Sequence, residues 1–139
     1  MSATTPERGR HGATLAVETM ADAALLRIGG ELDTLTVPDL HARIHDAVAA
    51  TSGAVVADLT EVRFLSSSGL TLLLGLQSDL AAQDRPLRLV VGGTKAVSRP
   101  LLITGLDRVL ELHADLDTAL AADRTRRRGG AHSSAVGHG

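Results

Sequence analysis

The order of apolar and polar residues predicts the elements before any chemistry is considered. "ATLAVETM" (13–20) alternates the two classes, as a half-buried strand does. "ALLRI" (24–28) predicts a second strand ended by Gly29 and Gly30, with "ADA" (21–23) as the turn of a hairpin. In "TVPDLHARIHDAVAA" (36–50), Leu40, Ile44 and Val48 recur at every fourth position, the stripe of an amphipathic helix. Thr36 stands where a cap belongs, Pro38 suits a first turn, and Asp39 favours the positive end of the helix dipole. "AVVADL" (54–59) is the continuous apolar run of a central strand buried on both faces, and "TEVRF" (60–64) reads as a loop. A second helix is predicted over 67–83, then a buried strand, "PLRLVVG" (86–92).

"TKAVSRPLLITGL" (94–106) predicts a third helix, capped by Thr94 and ended near Gly105. Pro100 inside it costs about 3 kcal/mol in a regular helix interior, so a kink or a late start is expected. "VLEL" (109–112) suits a short edge strand, and "DLDTALAAD" (115–123) a last helix with Asp115 as its cap. Strands alternating with helices after an opening hairpin predict an α/β domain with a mixed, partly parallel sheet.

The chain has 139 residues, enough for one domain with a core that needs no metal or disulfide. Residues 1–12 and 123–139 ("DRTRRRGGAHSSAVGHG") are poor in apolar residues and are predicted to be disordered, leaving a domain over 13–122. No apolar run approaches the roughly 18 residues of a membrane span. The N-terminus lacks the apolar middle of a secretory signal, so a cytoplasmic protein is expected. Absence of cysteine excludes disulfide and thiol chemistry. A formal charge of −2 supplies no field for nucleic acid or an anionic membrane. With one Phe and no Trp or Tyr, there is no platform on which bases stack.

The candidate chemistry centres on "FLSSSGL" (64–70). On a wheel of about 100° per residue starting at Ser67, the stripe of Leu72, Leu73, Leu76 and Leu80 centres near 200°, almost opposite Ser67. Ser66 and Ser68 fall nearer the buried side, whereas Thr71, Leu74 and Ser78 lie within about 40° of Ser67. Three readings compete. A serine before a helix is an ordinary N-cap, with Gly69 permitting tight packing. A phosphorylated serine there is well placed against free N–H groups and the dipole. A hydrolase nucleophile would want the Gly-x-Ser-x-Gly elbow, which is missing.

Other motifs are weaker. His41 and His45 share one helical face, but Ala42 stands where a zinc protease has its Glu, and a solvated face is the plainer reading. "LVVGGTK" (89–95), with Gly92 and Gly93, lacks the Walker spacing. Arg124, Arg126, Arg127 and Arg128 suit an acidic partner or a solvated tail. In "GGELDTLTV" (29–37), Glu31 and Asp33 lie between a strand and a helix, where turn chemistry alone would use them.

"GELDTLTVPDL" (30–40) and "VVADLTEVRFLSSSGLTLLLGL" (55–76) together resemble the STAS domain of bacterial anti-sigma factor antagonists. That family shows Gly-Glu-Leu-Asp, a Thr before the first helix, a strand ending in Asp-Leu, Val-x-Phe, and Asp-Ser-Ser-Gly-Leu opening the next helix. "TKAVSRPLLITGLDRVLEL" (94–112) is similar to its third helix, and the likeness covers residues 14–122. It implies a mixed sheet of four to five strands with helices packed on one face, and no enzyme, cofactor or metal. It also implies partner switching. The unphosphorylated antagonist binds an anti-sigma factor that is also a serine kinase, releasing a sigma factor. Phosphorylation ends binding, and a phosphatase restores it.

By position, the phosphoacceptor is Ser67. Asp33, Ser66, Ser68, Gly69, Thr71, Leu74 and Ser78 complete the expected partner surface. A monomer or weak dimer is expected, and the alternative is a ligand- or nucleotide-sensing STAS module without phosphorylation. The chain departs from the family pattern at Ser66, where the family carries Asp, and at Pro100.

Overall fold

A computed structural model describes residues 12–122. The expectations for the N-terminal segment before Gly12 and for the tail from Asp123, with its arginines, lie outside the described residues.

The elements run β1 (Ala13–Thr19), β2 (Ala23–Leu32), α1 (Val37–Ala49), β3 (Ala54–Leu65), α2 (Ser67–Ala81), β4 (Leu87–Val90), α3 (Lys95–Thr104), a 3-10 turn (Leu106–Arg108) and β5 (Glu111–His113). A final helix, α4, occupies 116–122. The sheet has five strands in the order β1-β2-β3-β4-β5. The β1–β2 pair is the expected antiparallel hairpin, closed where Met20 N–H donates to the Ala23 carbonyl at 2.8 Å, and the other three pairings are parallel.

Neighbouring residues on a strand point to opposite faces. Leu26, Ile28, Val55, Ala57, Leu87 and Leu89 therefore share one face, where they pack with Leu40, Ile44 and Val48 of α1, Leu72, Leu73, Leu76 and Leu80 of α2, and Val97 and Leu101 of α3. Leu25, Val56 and Val90 point the other way and are covered by Ala119, Leu116 and Leu120 of α4, with Met20. Three helices thus form the expected layer on one face, and the short terminal helix closes part of the other. Arg88, only 1% exposed, lies on that second face between strands; its Nε donates to Glu111 Oε2 at 2.8 Å.

Two of the strand boundaries that differ from the sequence reading do so for one reason. "TEVRF" is not a loop, and β2 does not stop at its glycines. β2 and β3 extend together, Glu31 pairing with Phe64 and Leu32 with Leu65. Gly30 has φ +86, and the register shifts on either side of the glycine pair, so the chain kinks and continues as a strand. β4 ends where Val90 pairs with Asp58, so the last part of β3 has β2 as its one strand partner among the described residues.

Two helix caps also differ. Thr36 and Thr94 occupy N-cap positions but make no side-chain cap bond. α3 starts at Lys95 and runs through Pro100 to Thr104, so the proline does not delay its start. The edge strand is Glu111–His113 rather than 109–112.

Candidate functional site

The long arm of β2 and β3 carries the serine triplet to its tip. Ser66 ends the strand and caps α2: its Oγ accepts from the N–H of Ser68 at 3.1 Å and of Gly69 at 3.4 Å. The same hydroxyl donates to the Leu32 carbonyl at 2.9 Å, and the Ser66 N–H donates to that carbonyl as well. Ser66 thus ties the start of α2 to the end of β2. An aspartate could accept the two helix N–H bonds but has no proton for Leu32.

Gly69 makes that approach possible. A Cβ there would lie 2.5 Å from Leu65 Cδ1 and 3.2 Å from the Leu32 carbonyl oxygen. Ser68 is half-buried, and its hydroxyl meets Thr34 Oγ1 at 3.3 Å. Ser67 is exposed and makes no side-chain hydrogen bond among the described residues. Thr71 and Ser78 are also exposed, Leu74 is half-buried and Gly69 is buried. The wheel therefore ordered the triplet correctly.

The β2–α1 loop stands beside the triplet and is internally braced. Asp33 Oδ1 accepts the N–H of Leu35 at 3.0 Å and of Thr36 at 3.1 Å, while the Asp33 carbonyl accepts Val37 N–H at 2.9 Å. Thr36 Oγ1 donates to the Glu31 carbonyl at 2.7 Å and accepts from Asp33 N–H at 3.0 Å. Asp33, expected at the partner surface, is half-buried and its carboxylate folds the loop that starts α1. Below it, Glu31 pairs with Arg63 at 3.2 Å across the two strands.

Two exposed apolar side chains that the sequence reading passed over lie near the serines along the chain or in the adjoining loop. Leu35, in the braced loop, is 85% exposed, and Phe64, two residues before Ser66, is 50% exposed. Their signal was available: a lone leucine in an otherwise polar loop, and the chain's one aromatic residue in a segment taken for a loop.

The competing motifs do not converge on this tip. Gly92 lies against Thr60, where a Cβ would come 2.9 Å from Thr60 Cγ2. At about 3.3 Å per residue, that is roughly 17 Å back along β3 from Leu65. His41 and His45 line a groove of about 370 Å³ between α1 and α2, floored by Ile44, Val48, Leu72 and Leu76 and faced by Asp79. Among the described residues no group of three or more His, Cys, Asp or Glu is placed to hold a metal ion. Nor is any helix long and apolar enough to cross a membrane.

Comparison with known proteins agrees with this geometry. A family model described as STAS domain matches residues 14–119. The anti-sigma-F factor antagonist RsfB of Mycobacterium tuberculosis is 37% identical over 112 residues, 78% of this chain and 90% of that protein. An anti-sigma-B factor antagonist of Staphylococcus epidermidis is 30% identical over 88 residues, 63% of this chain and 81% of its own. The crystal structure of an anti-sigma factor antagonist from Mycobacterium paratuberculosis superposes with a TM-score of 0.74 at 36% identity, covering 81% of this chain and 94% of the other.

Proposed function

Because the chain belongs to the STAS-domain anti-sigma factor antagonist family, we propose that it binds an anti-sigma factor through the tip formed by the β2–α1 loop and the start of α2. Phosphorylation of Ser67 by that partner, acting as a serine kinase, then ends binding. The bound partner gives up its sigma factor, and a phosphatase resets the switch.

One observation carries this reading. Of three adjacent serines, Ser66 is spent on the cap and on Leu32, Ser68 faces Thr34, and Ser67 alone is exposed and unengaged. Leu35 and Phe64 supply the apolar contact that a docking surface needs at its centre, with Thr71, Leu74 and Ser78 continuing it along α2.

A phosphate on Ser67 would add about −1.5 to −2 charges at the middle of that surface. Burying it against a partner without new cations costs several kcal/mol, and each 1.4 kcal/mol is about tenfold in affinity. Ser66 in place of aspartate keeps the helix start capped and removes a negative charge next to the acceptor.

The test is direct. The protein is mixed with the anti-sigma factor of its host and ATP, and phosphate is mapped by mass spectrometry. Phosphate is expected on Ser67, with Ser67→Ala binding but unmodified and Ser67→Asp binding about 100-fold more weakly or worse. Phosphate confined to Ser66 or Ser68, or undiminished binding by Ser67→Asp, would overturn the proposal.

A further inference from the structure

The two edges of the sheet are built differently. β5 is three residues long, and two of those, Glu111 and His113, are held together at 2.7 Å, so it offers an incoming strand little to pair with. β1 is seven residues long, pairs with β2 on one side, and has no strand on its outer side among the described residues. Its sequence, "ATLAVET", contains none of the usual guards: no proline, no lysine, and a register with β2 unbroken by a bulge. Its single charge, Glu18, is drawn toward its own sheet by Arg27 at 3.7 Å. Val17 is 45% exposed although its same-face neighbour Leu15 packs on the core.

The strand is also complementary to itself. An antiparallel pairing of two copies about an axis through Ala16 sets Leu15 against Val17 of the second copy, and Thr14 against its Glu18. By the alternation of side chains, the apolar pairs fall on the helix-covered face and the polar pairs on the other. No like charges stand opposite one another, and both Val17 side chains gain an apolar neighbour.

We propose that the outer edge of β1 is a homodimer surface, on which a second copy of this chain pairs its own β1 antiparallel, joining two five-stranded sheets into one. The axis stands perpendicular to the sheet, so the two serine tips point in opposite directions and both stay open. The inference is independent of the proposed switch. A single seven-residue strand pairing buries less than the roughly 1,200 Å² of a standard interface, so the dimer is weak and concentration-dependent.

Sedimentation velocity on the full chain over a wide concentration range is expected to show the mass rising from 14.4 kDa toward twice that value. Val17→Lys, at an exposed position, should weaken association by about tenfold or more. The chain has no cysteine, so Ala16→Cys reports the axis directly: its disulfide-linked dimer should form much faster than that of Ile103→Cys, an exposed position on α3. A chain monomeric at every concentration, a dimer untouched by Val17→Lys, or equal cross-linking at positions 16 and 103 would each overturn the proposal. Should Val17→Lys fail to fold by circular dichroism, the two cysteine variants decide the matter alone. A strand of the anti-sigma factor as the true occupant would appear as cross-linking at position 16 to that partner with no self-association.

Discussion

At the scale of single residues, Ser66 shows how one hydroxyl can do what a carboxylate cannot. It accepts two helix N–H groups while donating to a strand carbonyl, so both sides of its hydrogen-bonding capacity are used. Removing it leaves the Leu32 carbonyl with one donor fewer and the first turn of α2 without its cap. Ser66→Ala is therefore expected to lower the unfolding free energy by about 1–2 kcal/mol, read from urea denaturation. A smaller loss than in Ser67→Ala would contradict this account. The separate orientations of the three serines were legible from the wheel, because burial of the leucine stripe fixes which way each points. The role of Asp33 was legible only in part. Its place in a loop between strand and helix suggested turn chemistry, but only the folded loop reveals that its carboxylate is occupied by Leu35 and Thr36.

At the scale of elements, caps and strand ends separate what local sequence decides from what pairing decides. Asp115 caps α4 as its sequence position suggests: Oδ1 accepts from Thr118 N–H at 2.8 Å and from Thr118 Oγ1 at 2.7 Å. These bonds, the hydroxyl first, hold its carboxyl below the usual carboxylate range, with the nearby His113 charge adding to them. The folded protein therefore binds that proton less readily than the unfolded chain. The resulting stabilisation is present above the ordinary carboxylate pKa, near 4, and is lost as pH falls through the lowered value. Asp115→Asn should unfold at a lower temperature than the parent at pH 7, with the gap closing below about pH 4. A gap that stays constant across that range would rule out the ionised cap.

Thr36 looked equally good as a cap, and was not: its hydroxyl donates to the Glu31 carbonyl and accepts the Asp33 N–H, so it is turned back toward the end of β2 and not toward the free N–H groups of α1. The extension of β3 through "TEVRF" was hidden for a similar reason. Nothing in that segment alternates cleanly, and it becomes a strand because β2 continues past its glycines to meet it. Pairing with a strand distant in sequence is what a local pattern omits.

At the scale of the whole molecule, alternation of strand and helix after an opening hairpin foretold the mixed sheet, whereas the layer of helices on one face was implied by the resemblance to the STAS domain. The cover on the second face was less visible: α4 presents only Leu116, Ala119 and Leu120, a stripe too brief to announce which surface it serves. The core is wholly aliphatic, and the chain's one aromatic ring stands half in solvent beside the serines. That placement makes the protein almost silent in the near ultraviolet, with no tryptophan or tyrosine to report anything. Phe64→Trp would install a single fluorophore at the proposed docking tip while leaving the core composition untouched. Its emission should shift to the blue when an anti-sigma factor covers the tip, and return to the red as Ser67 is phosphorylated, turning one exposed ring into a real-time optical gauge of which state the switch is in.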